Sequence, residues 1–166
     1  MAVTLLWDAS GLVKRYIAEV GSDTVDAIFE VAAASAMFVT PWGYLEAYAI
    51  LRRRYNAGAF DRRALTDAVT ALQSEVVTGS FDLLSISDQT IFSAPSLVDA
   101  HNMNSADAAI LAVYLNFQSS LLRNSPTCLL VASDKRLLRA AIAEGLQILD
   151  PESLSPDAAS ALISAF

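Results

Sequence analysis

Short, nearly continuous apolar runs alternate along the chain with longer segments in which apolar residues recur at helical spacing. The runs at Val3–Trp7 and at residues 128–132 are typical of strands that are buried on both faces. The segments between such runs carry apolar residues three and four positions apart, as at residues 61–77. Strands separated by helices favour a parallel sheet that is covered on both faces. We therefore predict an α/β fold, a three-layer α/β/α sandwich around a central, mainly parallel sheet.

The boundaries of the remaining elements are predicted from the same periodicities together with turn and cap residues. Further strands are expected at residues 36–40, 81–86 and 146–149. Helices are expected after Asp8, at residues 22–34, between Pro41 and Gly58, from Ser87 toward Asn102 with a break at Pro95, from Asn104 or Ser105 onward, and at residues 135–144. We assign residues 1–152 to one domain and residues 153–166 to a C-terminal appendage.

The composition fits a single globular domain, because the chain has 166 residues, of which 54% are apolar, and a mean hydropathy of +0.42. Its longest strongly apolar stretches, such as residues 108–115, are shorter than the roughly 20 residues that cross a bilayer. The N-terminus lacks the basic segment of a secretory signal. We therefore expect a cytoplasmic protein without a membrane segment.

The chain has one cysteine and one histidine, and we expect chemistry from neither. Cys128 lies inside an apolar run, which indicates a buried free thiol. His101 follows an apolar helical stretch and has no Cys or His close to it in sequence. A position at a helix end or on the surface is the simpler interpretation of this histidine.

Acidic residues follow the predicted strands, at the edge of the sheet where open α/β folds bind their ligands. Asp8 comes directly after the first strand, and Glu46 lies in the second turn of the helix after the second strand. Asp134 closely follows the strand at residues 128–132, and Asp107 lies in the opening turn of its helix. We expect these four carboxylates to converge.

Converging carboxylates raise one another's pKa values unless cations neutralise them. Oxygen ligands select hard ions such as Mg²⁺ or Mn²⁺, which polarise a phosphodiester and activate water. For any one of these carboxylates taken alone, capping of a helix is the better explanation. Ser10 and Ser133 are alternative caps beside Asp8 and Asp134, which would leave the aspartates available for other work.

Three segments of the chain, residues 6–16, 104–112 and 131–137, together resemble the PIN-domain family of nucleases, and the likeness is greatest to VapC-type toxins. The resemblance covers about residues 3–151. It implies a Mg²⁺- or Mn²⁺-dependent endoribonuclease that forms a homodimer and is inhibited by a small antitoxin protein. It also implies that four carboxylates bind metal or position water, namely those of Asp8, Glu46, Asp107 and Asp134. The hydroxyl groups of Ser10 and Ser133 would support them.

The net charge of −7 is unusual for a protein that binds RNA, since phosphate contacts normally require a basic surface. Bound cations would reverse the field at an acidic site, and basic residues at its rim would then contact the phosphates. The expected RNA contacts are Lys14, Arg15, Arg52 and Arg53. Further basic candidates for the rim are Arg54, Arg62, Arg63, Lys135, Arg136 and Arg139.

Other functions remain open at this level. A haloacid-dehalogenase-like phosphatase would use Asp8 as its nucleophile, but its second acid would stand where this chain has Ser10. A phospho-receiver domain would need an acidic pair after the first strand and an aspartate after the third, where Ile86 and Ser87 lie. Within the PIN-like interpretation, the alternatives to a toxin are a housekeeping nuclease in RNA processing and a non-catalytic binding module.

Overall fold

A five-stranded sheet forms the centre of the computed structural model, which describes residues 3–79, 81–121 and 127–166. Every neighbouring pair of its strands is parallel, and the strand order is β3-β2-β1-β4-β5. The predicted three-layer α/β/α class is therefore confirmed. The strands are β1 (Val3–Trp7), β2 (Met37–Val39), β3 (Asp82–Leu83), β4 (Thr127–Val131) and β5 (Gln147–Leu149).

Helices connect the strands and cover both faces of the sheet. The described helices are α1 (Ala9–Leu12), which continues as a 3₁₀ turn (Val13–Arg15), α2 (Ser22–Val31), α3 (Pro41–Asn56), α4 (Arg62–Val77), α5 (Asp88–Ser93), α6 (Pro95–His101), α7 (Ser105–Leu121), α8 (Lys135–Ala143) and α9 (Pro156–Ser164).

The alternation of side chains along the strands separates two hydrophobic cores. Leu5 and Trp7 point to the first core, which α1, α2, α3, α4 and α9 complete. Leu6 lies between them in sequence and points to the second core, which α6, α7 and α8 complete. Strands buried on both faces explain why the apolar runs of the sequence are nearly continuous.

Several predicted elements are shorter in the structure than in the sequence analysis. The strand expected at residues 81–86 is reduced to Asp82–Leu83, because it lies at the edge of the sheet and pairs only with β2. Phe81 instead packs its ring near Trp7 and Phe29 in the first core. Helix α2 ends at Val31 rather than at residue 34, since Ala32 already has extended backbone angles.

The C-terminal segment, expected as an appendage at residues 153–166, forms α9 and packs against α2. Ala159 and Ile163 are buried in the first core, and the Thr24 hydroxyl donates a hydrogen bond to the Leu154 carbonyl oxygen. The C-terminal segment therefore forms part of the first core. Within the described ranges, no helix has both the length and the apolar character needed to span a bilayer.

Candidate functional site

Asp8 is the most buried of the four predicted carboxylates, with 5% of its surface exposed. It follows β1 directly and caps the N-terminus of α1, because its Oδ2 atom accepts a hydrogen bond from the Ser10 amide at 2.8 Å. The Ser10 hydroxyl donates to the same oxygen at 2.5 Å. The carboxylate is thus held in place by its own helix start.

Ser10 also connects Asp8 to the loop after β4. Its Oγ atom accepts hydrogen bonds from the backbone amides of Ser133, at 2.9 Å, and Asp134, at 3.1 Å. The expected supporting role of Ser10 therefore has a geometric basis. The Ser133 hydroxyl is also buried, but among the described residues it has no hydrogen-bond partner, so a supporting bond from Ser133 is not seen.

The other two aspartates lie at helix N-termini as well. Asp134 Oδ1 accepts hydrogen bonds from the amides of Arg136 and Leu137, at 2.8 and 2.9 Å, and so caps α8. Asp107 and Asn104 form a reciprocal pair at the start of α7, in which the Asp107 amide donates to Asn104 Oδ1 and the Asn104 amide group donates to Asp107 Oδ2. The expectation that Ser10 and Ser133 would cap in place of Asp8 and Asp134 is wrong.

Glu46 reaches the site because α3 begins very close to the sheet. Gly43 lies in the first turn of α3, where an added Cβ atom would be 3.2 Å from the Val39 side chain and 3.7 Å from the Trp7 carbonyl oxygen. Glu46 follows three residues later, almost one turn further along the same helix. The small residue therefore brings the glutamate to the end of β1, next to Asp8.

The four carboxylates interact electrostatically, as the sequence analysis expects. Burial, followed by repulsion from Asp8 and Asp107, raises the pKa of Glu46 to about 7. Burial, followed by repulsion from Asp8 and Asp134, raises the pKa of Asp107 to about 6. Burial also raises the pKa of Asp8, and the two hydrogen bonds from Ser10 oppose this shift. The four carboxylates come from four separate elements, and each of them interacts electrostatically with at least two of the others.

The fit of this group to a metal ion is good in chemistry and incomplete in geometry. Oxygen donors of high charge suit Mg²⁺ or Mn²⁺. Among the residues that the structure describes, however, no three His, Cys, Asp or Glu side chains form a group able to hold an ion as they stand. In the hydrogen bonds given above, each of the three aspartates uses one of its two carboxylate oxygens.

Two of the expected RNA contacts are occupied by acidic partners. Lys14 is 3% exposed, and its ammonium group contacts Glu19 Oε1 at 2.9 Å and Glu152 Oε1 at 2.8 Å. Arg15 pairs with Asp26 at 2.7 Å and Glu75 at 3.4 Å. The expectation for Lys14 is therefore corrected, because a buried ammonium between two carboxylates stabilises the fold and is not accessible to RNA. Arg15 likewise already has anionic partners.

Two other arginines lie close to the carboxylates. Arg53 is exposed on α3, and its charge opposes the rise in the pKa of Glu46. Arg136 is exposed on α8, and its charge opposes the rise in the pKa of Asp107. Arg52, also exposed, lies over the ring of Tyr55 at 5.4 Å. The sequence analysis named Arg53 as an RNA contact and Arg136 only as a rim candidate. Both guanidinium groups therefore lie near the acidic group.

An apolar groove of about 360 Å³ opens beside the site. Trp42 on α3, four residues before Glu46, forms one wall and is 49% exposed. Ala106, the neighbour of Asp107, forms part of another wall. The remaining lining residues come from α5, α6, α7 and the segment before α5: Ile86, Ile91, Ala94, Pro95, Val98, Ser105 and Ala109.

Other residues near the site were missed in the sequence analysis. The spacing of Asn104 and Asp107 is that of a capping pair and identifies the helix start. Tyr114 is a buried residue of α7 whose hydroxyl group donates a hydrogen bond to the Trp7 carbonyl oxygen. Neither Tyr114 nor Gly43 gave a local signal, because a tyrosine in an apolar helix and a glycine near the start of a helix are common. Cys128 and His101 agree with their predicted roles, since Cys128 is buried and His101 ends α6 and pairs with Glu144 at 2.7 Å.

Comparison of the chain with models of protein families and with curated proteins finds no match to either. The resemblance to the PIN-domain family therefore stays a prediction from the sequence segments that carry it.

Proposed function

We propose that this protein is a Mg²⁺- or Mn²⁺-dependent endoribonuclease that hydrolyses phosphodiester bonds of RNA. The observation that carries the proposal is the electrostatic interaction among Asp8, Glu46, Asp107 and Asp134; burial, followed by repulsion from Asp8 and Asp107, raises the pKa of Glu46 to about 7. Mutual repulsion of this kind is unfavourable for an isolated domain, and a divalent cation relieves it. Perturbed carboxylates at the ligand-binding edge of an α/β sheet are a typical sign of a functional site.

In the proposed site, the carboxylates of Asp8, Glu46, Asp107 and Asp134 hold the cation. When bound, a divalent cation polarises the phosphodiester and lowers the pKa of a water molecule. Ser10 keeps the Asp8 carboxylate in position through Oδ2. Burial and repulsion raise the pKa of Glu46 to about 7, so near neutral pH part of this group is ionised, and the ionised carboxylate can accept a proton from water.

The substrate assignment rests on the two exposed arginines and on the resemblance in sequence. Arg53 lies beside Glu46, and Arg136 lies beside Asp107. An RNA backbone that crosses the site would therefore contact one guanidinium group near Glu46 and another near Asp107. These cations offset the overall charge of −7 locally. RNA is proposed over DNA because the resemblance is to ribonucleases.

The test is cleavage of single-stranded RNA by the purified protein with Mg²⁺, with Mn²⁺ and with EDTA. We expect metal-dependent cleavage that Asp8→Asn or Asp107→Asn reduces by at least about a hundredfold. Asp99→Asn is the matched control, because Asp99 is an exposed aspartate on α6. If both site variants cleave RNA as fast as the wild type, or if EDTA has no effect, the proposal fails.

A second candidate function is that of the toxin in a toxin–antitoxin pair, as a homodimer with a small antitoxin partner. It is supported by exposed apolar side chains next to the carboxylates, since Trp42, Leu45 and Tyr48 on α3 are 49%, 55% and 36% exposed. Contiguous exposed apolar side chains commonly mark protein interfaces. A partner on this surface would lie beside the site and would limit access to it.

The toxin proposal predicts that expression of the wild-type chain arrests bacterial growth, and that Asp107→Asn abolishes the arrest without reducing the amount of folded protein. Asp99→Asn again serves as the control. Normal growth on expression of an active ribonuclease would favour the housekeeping alternative. A protein that binds RNA without cutting it under any metal condition would favour the non-catalytic binding module.

A further inference from the structure

We infer that Tyr114 is a positioning residue for the candidate site, and that its hydroxyl group sets the distance between the helix that carries Asp107 and the strand that carries Asp8. This inference rests on the proposed function for its effect on cleavage, but its structural content stands by itself. Tyr114 is completely buried, so it does not touch substrate.

The central contact joins α7 to the end of β1. The Tyr114 hydroxyl donates a hydrogen bond to the Trp7 carbonyl oxygen at 2.5 Å. Trp7 is the last residue of β1, and its carbonyl group belongs to the peptide bond that leads into Asp8. The phenol therefore holds the backbone immediately before the most buried carboxylate of the site.

Helix geometry links the same contact to Asp107. Asp107 and Tyr114 are seven residues apart on α7, which is about two turns, so their side chains leave the helix on nearly the same side. A bond at Tyr114 therefore fixes the position of α7 along and around its axis relative to β1. Asp107 follows this position as part of a rigid helix.

The Trp7 carbonyl group also lies close to the first turn of α3. A Cβ atom added to Gly43 would lie 3.7 Å from the Trp7 oxygen. The phenol is near enough to interact electrostatically with both Asp8 and Glu46. One backbone carbonyl group thus stands at the junction of the elements that carry Asp8, Glu46 and Asp107. A phenylalanine at position 114 would fill the second core as well, but it would leave this junction without its hydrogen bond.

The test compares Tyr114→Phe with Thr24→Val. Thr24 is the matched control because it is another buried hydroxyl that donates to a backbone carbonyl group, that of Leu154 at 2.9 Å, on the other side of the sheet from α7. The readouts are crystal structures of the wild type and both variants, Mn²⁺ binding by calorimetry, and kcat and KM for RNA cleavage.

For Tyr114→Phe, we expect a changed separation of the Asp8 and Asp107 carboxylates, weaker Mn²⁺ binding and a fall in kcat of about tenfold or more at nearly unchanged KM. Thr24→Val is expected to leave all three as in the wild type. An unchanged carboxylate separation with unchanged kcat would overturn the inference. A Tyr114→Phe protein that does not fold would also overturn it, because Tyr114 would then support the whole sheet rather than the site.

The two proposals fail separately. If the wild type neither binds Mn²⁺ nor cleaves RNA, the proposed function is wrong, and the crystal structures alone decide whether Tyr114 sets the separation of Asp8 and Asp107.

Discussion

The Ser10 hydroxyl donates to Asp8 Oδ2 at 2.5 Å, and this bond joins the end of β1 to the loop after β4 through two further bonds that Ser10 accepts from backbone amides. One side chain thus fixes a carboxylate and the loop that presents Asp134. Ser10 therefore links the Asp8 carboxylate directly to the backbone of Asp134.

Replacement of Ser10 by alanine is expected to reduce RNA cleavage strongly and to lower the free energy of unfolding by about 1–3 kcal/mol, because two backbone amides lose their acceptor. Ser155→Ala is the control, since the Ser155 hydroxyl caps α9 away from the site and its loss costs about 1 kcal/mol. Cleavage assays and urea unfolding test both variants. Equal cleavage by Ser10→Ala and Ser155→Ala would contradict the role of Ser10.

The raised pKa values of Glu46 and Asp107 predict how stability changes with pH when no divalent cation is present. Their ordinary values of 4.5 and 3.8 rise to about 7 and about 6 in the folded protein. Between these limits the folded state binds more protons than the unfolded chain, so the free energy of unfolding falls as pH rises. We expect a decrease on the order of 1 kcal/mol from pH 5 to pH 7.5, smaller than the full pKa differences imply because both side chains are partly exposed.

Urea unfolding in EDTA at several pH values measures this decrease. Glu46→Gln is expected to flatten the curve, because the amide does not titrate, and Asp99→Asn is expected to leave it unchanged. If the wild type and Glu46→Gln show the same slope between pH 5 and pH 7.5, the pKa of Glu46 is not raised in the folded protein.

Gly11 predicts a strong effect of a single methyl group on the approach of α1 to β4. An added Cβ atom would lie 2.6 Å from the Val131 carbonyl oxygen, which is backbone and has no rotamer to change. At Gly43 the nearest atom is a side-chain methyl carbon of Val39 at 3.2 Å, which can shift by a few tenths of an ångström.

Gly11→Ala is therefore expected to lower the free energy of unfolding by about 1–3 kcal/mol, and by more than Gly43→Ala does. Because Gly11 lies in α1, the helix that Asp8 caps, we also expect slower RNA cleavage by Gly11→Ala. Thermal and urea unfolding give the comparison. A Gly11→Ala protein as stable as the wild type would mean that α1 can move away from β4 without cost.

The sequence was sufficient to predict the fold class, because the apolar runs and helical repeats record which faces are buried. The ends of the predicted strands singled out Asp8 and Asp134, and the first two turns of the predicted helices singled out Glu46 and Asp107. The contact of Tyr114 and the ion pairs of Lys14 could not be predicted from the sequence. Each joins residues that are far apart along the chain, such as Lys14 and Glu152. The short length of β3 could not be predicted either, because its pairing with only one neighbouring strand is a property of the assembled sheet.

Lys14 and Arg53 are expected to differ sharply when each is replaced by alanine. Loss of the buried Lys14 ammonium leaves Glu19 and Glu152 without this partner, so we expect the free energy of unfolding to fall on the order of 3 kcal/mol. RNA affinity of the folded fraction is expected to stay unchanged. Exposed Arg53 should show the reverse, with little change in stability, weaker RNA binding and a smaller dependence of binding on salt concentration.

The measurement is a salt titration of RNA binding by each variant in the Asp107→Asn background, where cleavage does not interfere. Loss of one phosphate contact lowers the slope of log affinity against log salt by about one unit. A lower slope for Lys14→Ala would mean that Lys14 contacts RNA, which would contradict its burial in the structure. An unchanged slope for Arg53→Ala would remove Arg53 from that surface and leave Arg136 as the exposed arginine beside the carboxylates.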